Sequence, residues 1–175
     1  MSKKKQSKPR RKAAAKTSRP VKTKKAAGNP ALDLFAQAAS LVSGGYLFDA
    51  IKVFERIVKE DRANELADDA LVNAGLCYIQ MRLYPDAIAQ FTRVIQGFPD
   101  STIAGVFGGQ EVGKTAAKAL LCRLRSYLAI GDVDSAKKDL ASLEKYTDSY
   151  VVDAQGNKKT FHELGKEAFS ALQHA

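Results

Sequence analysis

The chain has 175 residues, 45% of them hydrophobic and 27% charged, with two cysteines, two histidines and no tryptophan. That length suits one domain with a tail, and two cysteines are too few for a disulfide scaffold. No apolar run is long enough to span a membrane, and no apolar segment follows the first basic residues as a secretory signal requires. The net charge of +9 is unevenly placed: 12 of the 28 basic residues lie in positions 1–30, which hold no acid, leaving 16 basic against 19 acidic residues and a net charge of −3.

Residues 1–29 are dominated by Lys, Ala, Ser, Thr and Pro and lack large apolar side chains. Such a segment cannot bury enough surface to offset its chain entropy, so a disordered basic tail is expected there. Its cations, led by Lys3, Lys4, Lys5, Lys8, Arg10, Arg11 and Lys12, suit a polyanion, each neutralised phosphate releasing a counterion. No aromatic is interleaved to stack on bases, which argues against sequence readout. The composition resembles the tails of linker-histone-like and ribosomal proteins, and 8–12 is similar to a nuclear localisation signal. The alternative is a tail that only solubilises.

Asn29-Pro30 reads as a helix N-cap followed by a first-turn proline, so the ordered body is expected to begin there. Residues 31–64 read as two helices joined at Gly44-Gly45. Residues 68–101 repeat the arrangement more clearly. One helix carries Leu71, Ala74, Gly75 and Tyr78 on a stripe; the next carries Ala87, Phe91, Val94 and Ile95. Leu83-Tyr84-Pro85-Asp86 is expected to turn between them, and Gly97 and Pro99 to end the second. Cys77 and Cys122, each within an apolar helical pattern, read as reduced core thiols.

An insert, 102–116, holds Gly108-Gly109-Gln110-Glu111-Val112-Gly113-Lys114-Thr115, which fits the phosphate-loop pattern GxxxxGK[ST]. There Lys114 would reach a terminal phosphate and Thr115 would hold magnesium, a minor nucleotide-binding alternative. The surrounding chain is helical, whereas that chemistry needs a parallel sheet, so the preferred reading is a glycine loop feeding a long helix from about Glu111. Residues 117–150 form a third helix pair turning at Gly131. In 151–175, Gly156-Asn157 signals a turn that a short hairpin or an extended connector would flank. Thr160 and Glu163 form a capping box for a last helix lined by Phe161, Leu164, Ala168 and Leu172. His162 and His174 stand apart from any metal-ligand spacing, and no metal or other cofactor is expected.

Gly75, Tyr78, Ala87, Phe91 and Pro99 fall in the register of the tetratricopeptide repeat, a 34-residue helix pair that 68–101 therefore resembles, with Leu71 and Ala74 where Trp and Leu are usual. The unit at 31–64 follows with Ala38, Leu41, Ala50 and Phe54, and the unit at 117–150 with Tyr127, Ala136 and Leu140, Leu124 standing at the small-residue position. The resemblance implies an all-α, right-handed superhelical stack over 30–150, capped by the helix in 151–175. It further implies that the first helix of each pair lines a concave groove carrying Phe35, Asp69, Val72, Asn73, Leu76, Lys118, Leu121 and Arg125. Two places of the carboxylate clamp used by some relatives fall on Asn73 and Lys118, but the other three are Phe35, Ala39 and Cys122. The size and three-unit layout are also similar to the type III secretion chaperones.

No catalytic residues emerge: no nucleophile–base arrangement and no convergent carboxylates. The expectation is a cytoplasmic adaptor, nuclear if eukaryotic, that is not an enzyme and grips a protein or peptide through the groove while the tail contacts polyanions. Self-association is an open alternative, as is a nucleic-acid-associated protein acting mainly through the tail.

Overall fold

Asn29 caps the first helix as its sequence predicts: its side-chain oxygen accepts from Ala31 N–H at 3.1 Å, and Pro30 follows. A computed structural model describes residues 29–63, 65–104 and 110–173, with side chains to Ala171. Residues 1–28 of the expected tail with its seven named cations, Asn64, Gly108, Gly109, His174 and the side chain of Leu172 lie outside the described residues.

The elements are α1 (Pro30–Ser43), α2 (Leu47–Glu60), α3 (Ala67–Gln80), α4 (Tyr84–Gly97), β1 (Glu111–Val112), α5 (Thr115–Ala129), α6 (Val133–Leu143), β2 (Tyr150–Val152), β3 (Lys158–Thr160) and α7 (Phe161–Gln173). The helices from α1 to α6 pack in chain order, each on the next, and α7 lies on α5 and α6. Gly45 and Gly131 take φ +80 in the outer turns, where a side chain would be strained. In the middle unit the turn falls earlier than expected, at Met81–Leu83, with Arg82 at φ +60, and Tyr84 and Pro85 already begin α4.

The stripes read from the sequence become two apolar clusters. One joins α1–α4 through Phe35, Phe54, Leu71, Val72 and Phe91, with Ala119 and Cys122 of α5. The other joins α5–α7 through Leu121, Leu124, Leu143 and Phe161. Gly75 is needed for its size: a Cβ there would sit 2.5 Å from Phe91 Cε1. In the third unit Leu124 takes the small-residue position, and the compensation comes from Gly165 of α7. A Cβ at Gly165 would meet Leu140 at 2.8 Å and Leu124 at 3.4 Å. The capping box forms, with Thr160 N–H donating to Glu163 Oε2 at 2.8 Å and Glu163 N–H to Thr160 Oγ1 at 3.1 Å.

The insert departs from expectation. Glu111 does not open a helix. It lies in β1, which pairs antiparallel with β2, and β2 with β3, giving a three-stranded sheet in that order. Helix α5 starts only at Thr115, because Gly113 at φ +115 turns the chain against Ser149, whose hydroxyl accepts from Lys114 N–H at 2.9 Å.

Candidate functional site

The first helices face inward, since α3 lies directly against α5. That inner face is where the groove is expected, and burial divides the expected residues into two sets. Phe35 is 6% exposed and packs edge-on against Phe54, ring centroids 5.2 Å apart. Val72 and Leu121 are also core residues, at 0% and 4% exposure. Asp69, at 5%, is covered by the insert: Ala104 N–H donates to its Oδ2 at 2.8 Å. These four are therefore not groove-surface residues. The helical stripe alone could not separate them from their exposed neighbours, because what covers them comes from distant parts of the chain.

Asn73 and Leu76 are half-buried and Arg125 is exposed. Leu32 and Ala39 of α1 and Gln80 of α3 are likewise open in part or in full. These six leave aliphatic side chains (Leu32, Ala39, Leu76), two amides (Asn73, Gln80) and one guanidinium (Arg125) open on the first helices. The Asn73 amide spends a donor on the Asp69 carbonyl at 2.8 Å and keeps its oxygen as an acceptor. Lys118 is half-buried and paired with Glu111 of β1, so its charge is already met within the chain. Cys122 is buried, and burial pushes its thiol up to about 11. A carboxylate clamp therefore lacks its cation as well as its other three members. Both free thiols are buried, and Cys77 is pushed up by burial as well, so neither is a thiolate nucleophile near neutral pH.

In the described part of the phosphate-loop pattern, residues 110–115, the Lys114 and Thr115 groups are engaged within the chain. Lys114 Nζ donates to the Asp100 carbonyl at 2.6 Å, Thr115 is 0% exposed, and Thr115 N–H donates to the Ser101 carbonyl at 3.2 Å. The strand before α5 runs antiparallel to its partner, whereas the nucleotide fold needs a parallel sheet. A cavity of about 610 Å³ beside Lys114 and Lys145 also carries Asp100 and Asp148, which offset the two cations. Among the described residues no group of three His, Cys, Asp or Glu could hold a metal ion, and no helix is long and apolar enough to cross a membrane. His162 Nε2 lies 3.9 Å from a Glu144 oxygen.

An element missed in the sequence is the tie across the outer side. Arg123 makes two bonds to Asp139, at 2.9 and 2.7 Å, and a third to Thr92 Oγ1 at 2.8 Å, joining α4, α5 and α6. Burial works against the Arg123 charge, but the hydrogen bond and charge of Asp139 outweigh it and hold the guanidinium above its usual range.

Residues 69–101 match the family model described as tetratricopeptide repeat. Several solved structures share the fold. PcrH from Pseudomonas aeruginosa is 15% identical over 84% of this chain and 94% of its own, with a TM-score of 0.59. The Yersinia enterocolitica type III secretion chaperone SycD, solved with a peptide of the translocator YopD, is 17% identical over 86% of this chain and 95% of its own, with a TM-score of 0.58. Yeast Tom70 is 18% identical over 83% of this chain but only 26% of its own, with a TM-score of 0.56. No curated protein matches the chain in sequence.

Proposed function

From a chain that folds as a tetratricopeptide-repeat stack of three units, we propose a non-enzymatic adaptor that holds a peptide segment of a partner protein on its inner face. The observation that carries this reading is the open strip of Leu32, Ala39, Asn73, Leu76, Gln80 and Arg125 on the first helices. Leu32, Ala39 and Leu76 offer apolar contact to a partner's side chains, Asn73 offers its oxygen to a backbone N–H, and Arg125 favours an acidic residue nearby. SycD, with the same fold, was solved with a translocator peptide, and the reading extends that mode of use to this chain.

The test is selection from a displayed random-peptide library, followed by fluorescence anisotropy with the selected peptide. Leu76→Arg and Arg125→Glu are both expected to weaken binding, Leu76→Arg by about 30-fold, the scale of losing one central anchor. Binding unchanged by both substitutions would place the peptide elsewhere and overturn the proposal.

A second reading attaches to residues 1–30, whose 12 basic residues without an acid favour a polyanion tether. Full-length protein is expected to bind generic duplex and single-stranded nucleic acid with a steep salt dependence, and protein starting at Asn29 to lose it. Equal binding by both forms would exclude the tether.

A further inference from the structure

Between the second and third units, Thr102–Ala104 crosses the inner face. Ala104 N–H is anchored on Asp69 Oδ2 at 2.8 Å, Ile103 N–H donates to the Gly113 carbonyl at 2.9 Å, and Thr102 bridges Lys114. The side chains of Ala104 and Ile103 pack on the first and second apolar clusters respectively. The stretch is thus an extended segment lying on first helices, the posture proposed above for a partner peptide.

We propose that Thr102–Ala104 is a displaceable internal occupant of the inner face, latched by the Asp69 carboxyl, and that ionisation of Asp69 loosens the latch. The idea rests on the reading of the inner face as a peptide site and deepens it: a partner reaching the α3–α5 end must compete with the chain's own strand.

The chemistry follows from what surrounds Asp69. Facing it are Asp68 on its own helix, Lys118 on α5 and Glu111 on β1, while the strand brings only the Ala104 amide. The single cation is already paired with Glu111. A charge on Asp69 beneath the strand is poorly hydrated and faces two further carboxyls. Burial accordingly raises Asp69 to about 6, the Ala104 and Lys118 contributions pulling the other way and those of Asp68 and Glu111 adding to the rise. Lifting the strand rehydrates the carboxyl and returns it toward the ordinary range. The latched state then holds the proton more tightly than the open one. Latching is strongest below pH about 4, weakens as pH rises to about 6, and is level above that, a span of at most about 100-fold in the opening constant.

Hydrogen exchange of the full-length protein, corrected for intrinsic rates, reads this directly at Ile103 and Ala104. Their opening constants are expected to exceed those of Leu120 and Leu121 in the middle of α5, and to rise by about 10- to 100-fold between pH 4 and pH 7. Asp69→Asn keeps an oxygen for Ala104 N–H and should level the pH dependence at these two amides. Should that variant fail to fold, Glu111→Gln serves in its place: it frees Lys118 to face Asp69 and should shrink the rise. Opening constants equal to those of α5, or a rise that survives both substitutions, would overturn the latch. The measurement uses no peptide, so failure of the latch and failure of peptide capture are separate results.

Discussion

Asp139→Ala is expected to cost about 3–5 kcal/mol of folding free energy, because it leaves the Arg123 guanidinium buried without its counter-charge. The carboxylate side chain is 5% exposed and that of Arg123 16%, so water cannot replace the lost partner without opening the α5–α6 contact. Thr92 remains as one acceptor for Arg123, and its own hydroxyl already donates to the Ile88 carbonyl at 2.8 Å, which limits what it can give in return. The measurement is urea unfolding followed by helical circular dichroism. A large fall in midpoint is expected for the single variant. The double variant Arg123→Met, Asp139→Leu should recover most of that fall, since an apolar pair of similar volume removes the stranded charge along with its partner. If the double variant is as unstable as the single one, the pair acts through shape and not through charge.

Phe91→Ala should cost about 3–5 kcal/mol, the range for emptying an aromatic site in a packed core. The ring is fully buried and fills the space that Gly75 leaves open on the facing helix. Gly75→Ala forces a methyl into that ring and should cost about 1–3 kcal/mol by overpacking. The two effects are coupled by contact. In the Phe91→Ala background, the methyl added by Gly75→Ala enters vacated space and should cost little or even stabilise. A double-mutant cycle measures this coupling, and additive losses would show that Gly75 is required for its backbone instead of for the ring.

The helices were legible because their signals are local. Asn29-Pro30, Gly44-Gly45, Gly131 and the Thr160–Glu163 box each act within a few residues, and the stripe around Gly75 and Phe91 follows the helix period. The small-residue position occupied by Leu124 showed only as a departure, since its compensating Gly165 lies on another helix. The sheet was harder to see. Strand β1 has two residues, too few to show an alternating pattern, and its partner is far along the chain. The inner face failed in the same way. Asp69 sits at a groove position on its helix, yet Ala104, 35 residues away, buries it. The Arg123–Asp139 tie was equally silent, because nothing local to either residue marks it until α6 is laid on α5.

A stack of helix pairs can grow one unit at a time, each new pair docking on the one before it. The sheet interrupts that order. Glu111 pairs with Val151, so β1 cannot be placed until a partner forty residues downstream exists. At about 5–20 residues per second, β2 leaves the synthesis machinery roughly 2–8 s after β1. During that interval α1–α4 have their contacts with one another, while α4 still waits for α5 to dock and the insert has a loose end. The third pair is then closed like a buckle, by the strands and α7 together. The chain therefore has an early half that matures during synthesis and a late half whose completion waits for its C-terminal residues.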